Sequence, residues 1–583
     1  MNLDLEEMKR KTLIRTGLLF MAAVLFTACS SNDDNKENNG TDDGKKVNIA
    51  KAVTFKVDFA DYNAEQEVGV TRANNEEEKI GRQVLDLGNG ILAQCTLQRD
   101  TTKQLKTIAT RALPDDTYTM LAYDVATHTL RGELVGNVVG GVFRYSSFGA
   151  IEIPAGTYDF VLFNSKVSRS GNLLTVTRAN AGDALIGRTT GKVIPASPYN
   201  QLVTFTMKHV AAKVKVKLMS HMPPLGIATT LASINATDVP SSSIYDASTG
   251  TWSLGTGAAT SDALTYGSPQ HLPFVPGRPR SYIISNEDAF FMPSTDVSKL
   301  KLTFTGGTIY NQNMTNTSLA FTPKTPLQLD QNGSYMLTVK FFYRFLYLMS
   351  DGSTGFVDKT IFGGAPAATA KTPIAVVISQ SKRMAVALQD VANSTKLYWY
   401  LANKVQFGQK AYGAYGDWDT PFNTHQATSI LDALVARPTS GLEETWNASY
   451  TTIGKIKGND GNFPAFYYAG HYDPGVAYTG TPALQWYLPS LSDYLVMVSA
   501  LGFADISSIP SNGKISVNGQ LLRVAFMQVN GNGRFDINER YTSTESNDGA
   551  FCGIFRVFTT RVAFFNISLY RKAIGTVRAF VKY

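Results

Sequence analysis

The stretch that most constrains the fold is Val203-Thr-Phe-Thr-Met-Lys-His-Val-Ala-Ala-Lys-Val-Lys-Val-Lys-Leu218. Its second half alternates Lys and Val strictly, and a helix would scatter those two residue types around its whole circumference. On a strand the valines share one face and the lysines the other, so the segment is expected to bury one side and solvate the other. The same period of two recurs at Val53, Phe55, Val57 and Phe59, with Lys56 and Asp58 between them. Further strands are expected over Ile80 to Leu97, broken by the turn Leu87-Gly88-Asn89-Gly90, and over Thr117 to Tyr123 after Pro114-Asp115-Asp116. Another, Tyr158 to Phe163, follows Pro154-Ala155-Gly156. Helical periodicity is scarce here, and the pattern predicts a mostly β chain beginning with antiparallel β-sandwiches.

At 583 residues the chain is too long for one core and predicts several domains. Only 17% of residues are charged and 11% are aromatic, a balance that favours secreted β-structure. The formal net charge is +7, but Lys and Arg form no stripe, which argues against nucleic acid as a partner. With Cys29 assigned below, Cys95 and Cys552 remain; far apart in sequence, they are expected to be small buried residues rather than a disulfide. The cysteines and six scattered histidines offer no metal-ligand cluster.

Near the N-terminus Lys9, Arg10, Lys11 and Arg15 precede an apolar run from Gly17 to Ala28. That is the layout of a secretory signal over 1–28, and about a dozen apolar residues are too few to span a bilayer. Thr27 and Ala28 directly before Cys29 resemble the lipobox of bacterial lipoproteins, although Phe26 departs from the usual Leu. The resemblance implies an acylated Cys29 that anchors the chain to the outer membrane before any processing. Ser30-Ser31-Asn32-Asp33-Asp34 resembles the surface-export signal of Bacteroidales lipoproteins. Residues 29–50 are expected to form a disordered tether.

Four features together resemble the fimbrillin family, the type V pilins of Bacteroidales. They are the Leu85-to-Leu97 strand pair, Thr110-Arg111-Ala112-Leu113 ahead of Thr117–Asp124, Ala155-Gly156-Thr157-Tyr158, and the His-then-Ala step before the alternating lysines of 204–218. The resemblance implies two tandem sandwiches, 51–218 and 219–343, with residues 290–306 and 332–341 as late strands of the second. It also implies assembly with other pilus subunits by donor-strand addition after an Arg-specific protease cuts near the N-terminus. Arg72, in a polar loop-like setting, and Arg111 are the candidate cut sites, Arg72 being preferred. His209 lacks an acidic or nucleophilic neighbour in sequence and reads as structural.

The region 344–583 has a different character, holding four of the five tryptophans. Short strands are expected at Thr372–Ile378 and Met384–Leu388, and helices at Gln426–Val435 and Leu491–Leu501, the latter capped by Ser490 or Ser492. Phe463-Pro464-Ala465-Phe466, Trp486 to Tyr494, Tyr541-Thr542-Ser543-Thr544-Glu545 and Gly575 to Phe580 resemble the C-type-lectin-like domains related to the formylglycine-generating-enzyme fold. Tyr487 departs from the Arg common there, and Tyr541-Thr542 replace Trp-Ser. The resemblance implies a mixed α+β head. Formylglycine generation needs reactive cysteines, and Cys552 alone, in an apolar setting, does not supply that chemistry. No catalytic triad, paired carboxylate motif or phosphate loop offers another enzymatic reading.

Recognition of a host or bacterial glycan or protein is what such a head implies, with Trp418, Trp446, Tyr467 and Tyr468 as candidate stacking residues. The loop Gln528 to Glu539 resembles a calcium-binding EF-hand loop, with Asn530, Asn532, Asp536 and Glu539 as ligands and Gln528 in place of the first Asp. The competing and preferred reading is a hairpin joining strands Leu521–Met527 and Phe535–Tyr541. No other cofactor is expected. The whole chain thus reads as a non-enzymatic surface protein of the outer membrane and fimbrium, a tip adhesin that accepts a strand and presents its head. The alternatives are a pilus anchor, or a lipid-anchored glycan-binding lipoprotein that does not polymerise.

Overall fold

Phe55 sits at the centre of a closed seven-stranded barrel in the N-terminal part of the chain. The alternation at Val53, Phe55 and Val57 turns these side chains inward, where Phe55 meets Phe160 at 5.8 Å and Phe143 and Phe205 at 6.2 Å between ring centroids. The barrel runs Leu185–Ile194, Gln201–His209, Val53–Ala60, Val142–Tyr145, Leu130–Val139, Thr117–Asp124 and Gly156–Asn164. The computed structural model describes residues 46–62, 83–99, 113–146, 151–197, 200–275, 277–321, 327–401, 403–406, 409–412, 415–417, 420–558, 561–571 and 573–583. The chain is mostly β, as expected. The sheets are not purely antiparallel, however, because Val53–Ala60 lies parallel to Gln201–His209, from Val53 opposite Gln201 to Ala60 opposite Lys208. The long excursion between those strands supplies the crossover that a parallel pair requires.

The expected tether is folded at its C-terminal end. Lys46–Asn48 pairs with Glu152–Pro154, and Ile49–Ala52 forms a short helix capped by Asn48. Val47 and Ile49 are buried and give this piece its apolar contacts.

The alternating stretch 203–218 is two strands in two sheets. The first half ends at His209, Val210 and Ala211 are fully buried, and Ala212–Ser220 enters a second sheet. There it lies antiparallel to Ser281–Ile284 and parallel to Ser334–Tyr343. The lysine face is only partly solvated. Lys213 lies over the Tyr62 ring at 4.8 Å, Lys217 over Tyr282 at 4.4 Å, and Lys215 Nζ donates to the Ser285 carbonyl at 3.1 Å. Their alkyl stems cover apolar surface while each ammonium keeps a π or carbonyl partner.

The hairpin Gln83–Asp86 and Ile91–Arg99, read from the sequence as part of a first sandwich over 51–218, belongs to this second sheet. Ile91–Arg99 pairs with Ser334–Tyr343 over nine positions, Ile91↔Tyr343 to Arg99↔Tyr335. The physical reason is that Ser334–Tyr343 is buried at almost every position and needs a hydrogen-bonding neighbour on both edges. Leu225–Ser233 and Leu300–Ile309 form the core of a facing sheet, and the two layers meet through contacts such as Phe304 to Phe341 at 6.0 Å.

The C-terminal part mixes both element types. One sheet runs Thr354–Gly355, Tyr347–Met349, Pro373–Ser379, Met384–Ala387, Phe580–Lys582, Gln485–Tyr487, and a second runs Lys514–Ser516, Val562–Tyr570, Phe551–Phe558, Arg540–Glu545. Leu491–Gly502 is helical, and Ser490 caps it in a reciprocal box with Asp493. The expected Gln426–Val435 helix is reduced to a short turn around Asp432–Ala436, because Thr428 donates its N–H and hydroxyl to Asp432 and so diverts the first turn. The hairpin expected around 528–539 is absent. Gly519–Met527 is an α-helix whose N-terminus is capped by Asn518, with Leu521, Leu522, Val524, Ala525 and Phe526 buried. A short apolar run does not distinguish helix from strand, and packing decided here.

Asn332 joins the barrel to the second sheet. It is 1% exposed, its Oδ1 accepts from the His209 N–H at 3.0 Å, and its Nδ2 donates to the Asp61 carbonyl at 3.1 Å. His209 stacks on Tyr62 at 3.9 Å, and burial pushes its imidazole down to about 4, so the ring is neutral and structural. Asn332→Ala is expected to cost about 1 kcal/mol by removing its hydrogen bonds to two part-buried backbone groups. A urea unfolding curve with a lower midpoint and unchanged slope checks this.

Candidate functional site

The helix Pro464–Gly470 divides its residues between two environments. Pro464 suits the first turn, where no N–H is needed, and Phe463, Ala465, Phe466 and Ala469 are buried. Phe466 meets Trp399 edge-on at 4.9 Å, which locks the helix to the core. The opposite side presents Tyr467 and Tyr468, 37% and 46% exposed, with ring centroids 5.7 Å apart. His471 stacks on Tyr467 at 4.4 Å and lies 6.0 Å from Trp446. Trp446 is fixed by its own indole, which donates to the Trp486 carbonyl at 2.6 Å. Gly470 permits this approach, since a Cβ there would fall 2.7 Å from the Trp446 ring.

Trp446, Tyr467 and Tyr468, nominated from the sequence, therefore converge on one surface. His471 was not nominated, although its spacing of four from Tyr467 on a helix is a usable signal. Rigid aromatic faces edged by hydroxyl and imidazole groups suit an amphipathic ligand, such as a sugar ring or a protein side chain with apolar and polar edges. Trp418, Cys29, Arg72 and Arg111 lie outside the described residues.

The loop after Gly519–Met527 is built around two arginines. Asp390, 3% exposed in its side chain, accepts from Arg578 Nε at 2.7 Å and from Arg540 Nε and Nη2 at 3.2 Å. The Arg534 carbonyl, the main-chain group an EF-hand loop would turn onto its ion, instead accepts from Arg540 Nη2 at 2.5 Å. The Asn532 carbonyl accepts from Arg578 at 2.8 Å, and the Asn532 side chain donates to Asp390 at 3.3 Å. Asp536 faces Arg534 at 3.9 Å, and the Glu539 carbonyl accepts from the Thr576 hydroxyl at 2.9 Å. Asn530 takes a left-handed φ of 65°, and its carbonyl accepts from Gln389. Of the four residues read as calcium ligands, the Asn532 side chain is thus engaged by Asp390 and Asp536 by Arg534, and among the described residues no group of three His, Cys, Asp or Glu is placed to hold a metal.

The segments that carried the lectin-like resemblance supply buried charges. Glu545 is fully buried, pairs with Arg571, and accepts from the Phe422 N–H at 3.0 Å and the Asn423 N–H at 2.6 Å. Arg578 closes the Asp390 network. Cys95 and Cys552 are free and buried; burial pushes the Cys95 thiol up to about 12 and the Cys552 thiol well above its ordinary value, leaving both inert.

Residues 157–343 match the sequence profile of the family described as Fimbrillin-like. No curated protein matches the chain. Among solved structures, a fimbrial protein from Bacteroides ovatus is 11% identical, covers 80% of this chain and 94% of its own, and has a TM-score of 0.19. A candidate cell adhesion protein from Bacteroides uniformis is 14% identical over 39% of this chain and 91% of its own, at a TM-score of 0.25. A fimbrial protein from Bacteroides vulgatus is 13% identical over 38% of this chain and 88% of its own, at 0.23.

The Asp390 network yields a pH-dependent stability. Burial alone would raise the Asp390 carboxyl, but Arg578 and Arg540 outweigh it and hold the group below its ordinary range. Its contribution is complete above the unfolded pKa of about 3.9 and is lost as pH falls through the lower folded value. Asp390→Asn is expected to cost about 3–5 kcal/mol near neutrality by leaving two guanidiniums underpaired. Denaturation curves should show the gap from wild type narrowing below about pH 4.

Proposed function

We propose that this protein is a surface fimbrial subunit whose C-terminal part serves as an adhesive head. The observation that carries the reading is the fimbrillin-like match over 157–343, the segment that carries three of the seven barrel strands and most of the second pair of sheets. The subunit reaches the surface as a lipoprotein acylated at Cys29, and cleavage at Arg72, or else at Arg111, frees it to accept a strand from a neighbouring subunit. The head, 344–583, is lectin-like, and its aromatic face at Trp446, Tyr467, Tyr468 and His471 contacts a glycan or host protein. Trp418 belongs to the same recognition role. The face suits this work because its tyrosines are exposed while Phe466 and Trp399 hold their helix rigidly from below.

Immunogold labelling of intact cells is expected to mark pilus tips. Label confined to the cell body would instead favour a lipid-retained surface protein that does not polymerise. On a glycan and host-protein array, the full chain carrying Tyr467→Ala and Tyr468→Ala should lose binding by about tenfold or more, since central aromatic anchors typically carry 2 kcal/mol or more. Unchanged binding by a folded double variant would remove this face from the reading.

A further inference from the structure

Three polar side chains are enclosed together in the C-terminal part: Lys457 and Asn423 at 0% exposure and Glu444 at 1%. Lys457 opens the short turn Lys457–Asn459, and its Nζ lies 4.3 Å from the centre of the Phe466 ring and 5.4 Å from that of Trp399. That same Nζ contacts Asn423 Oδ1. Asn423 is held firmly, its backbone N–H on Glu545 at 2.6 Å and its Nδ2 on the Ser543 carbonyl at 2.8 Å. Glu444, on helix Gly441–Trp446, borders Lys457, Ser543 and Thr439. Neither of its carboxyl oxygens has a hydrogen-bond partner, and the Ser543 and Thr439 hydroxyls are likewise unpaired.

Burying an ionised lysine and an ionised glutamate here costs several kcal/mol per ion. Burial is the main cause that raises the Glu444 carboxyl and lowers the Lys457 amine, each tempered by the other's charge. The remaining charges around them are largely committed: Glu545 is paired with Arg571, and Asp493 accepts from the Ser490 and Gly441 N–H groups. Burial therefore favours the uncharged form of each group, and an uncharged Lys457 amine beside the Asn423 side chain is a nucleophile.

We propose that Lys457 and Asn423 become joined by an isopeptide bond that the folded protein forms itself, with Glu444 as the proton shuttle. The Lys457 Nζ lone pair adds to Asn423 Cγ, the carbon bonded to the oxygen it already touches, while the Glu444 proton supports Oδ1. The proton released from Nζ passes through Glu444 to Nδ2, the Cγ–Nδ2 bond breaks, and one ammonia leaves. The Cγ carbonyl re-forms and Glu444 recovers its proton. One amide replaces another, so no oxidant or co-reactant is consumed. Glu545 and Ser543 act as positioning residues that hold Asn423 against the amine. The bond would close the chain from Asn423 to Lys457 into a covalent loop around helix Gly441–Trp446, restricting its unfolded state as other cross-links do.

Peptide mapping of the full-length wild-type chain by mass spectrometry tests this independently of the adhesive role. The expected result is a branched tryptic peptide joining the segments that contain Asn423 and Lys457, lighter by one ammonia than the sum of its arms. Wild-type protein yielding only the two separate peptides at full mass overturns the proposal. Lys457→Met should abolish the branched peptide. Glu444→Gln should abolish it or slow its appearance at least tenfold; a Glu444→Gln chain cross-linked as fast as wild type overturns the shuttle. Should either variant fail to fold, the wild-type map still decides whether the bond exists.

Discussion

The strand Ser334–Tyr343 is the constraint on which the rest of the molecule depends. It is buried at nearly every position, so it is stable only with a partner on each edge. One partner, Ala212–Ser220, arrives directly from the barrel; the other, Ile91–Arg99, comes from much earlier in the chain. Its two ends also make the long-range joints. Asn332, just before it, ties down His209 and Asp61, and at its other end the Tyr343 N–H and carbonyl are both bonded to the Gln528 side chain, at 3.2 and 2.8 Å. Gln528 also donates to the Tyr347 hydroxyl, which in turn donates to the Ala525 carbonyl. Barrel, second pair of sheets and C-terminal part therefore share one central strand.

The fimbrillin-like match ends at that same Tyr343. Beyond it the chain relies on a different physical device, charge buried in matched sets. Asp390 between Arg540 and Arg578, and Glu545 against Arg571, are packed against the apolar core, with Arg571 over Trp399 and Phe422 and with Arg540 and Arg578 over Phe535. Such sets add modest net stability but are strongly destabilising when broken, so they specify one arrangement of the loops they touch. The carbonyls of 532, 534 and 538 are turned inward by guanidinium groups, so the main-chain oxygen of 534 that a calcium loop would present is already engaged. The same rigidity allows Pro464–Gly470 to carry two exposed tyrosines without collapsing them onto the surface.

Much of this was legible in the sequence wherever the signal is local. Alternation at 53–59, 117–123 and 158–163 located real strands, Ser490 before an apolar helical pattern located a capped helix, and the wide separation of Cys95 and Cys552, with the apolar setting of the latter, foretold buried thiols. The candidate recognition residues Trp446, Tyr467 and Tyr468 were legible as types, being aromatics in a tryptophan-rich region. Gly519–Met527 was misread as a strand because nine residues of mixed apolar character satisfy either period, and only the Asn518 cap hinted otherwise.

Periodicity is a property of neighbours in the chain, so the sequence by itself determined the mostly β character and the inward-facing side chains of strands such as Val53–Ala60. Pairing and burial depend on residues far apart, and only the tertiary structure decided them. It divided 203–218 between two sheets, moved 83–99 into the second of these, and gathered Trp446, Tyr467, Tyr468 and His471 on one face. It also enclosed Lys457 and Glu444, which any local reading places at the surface because their charge prefers water. A charged side chain is buried only when the groups around it compensate, and those groups come from separate segments of the chain.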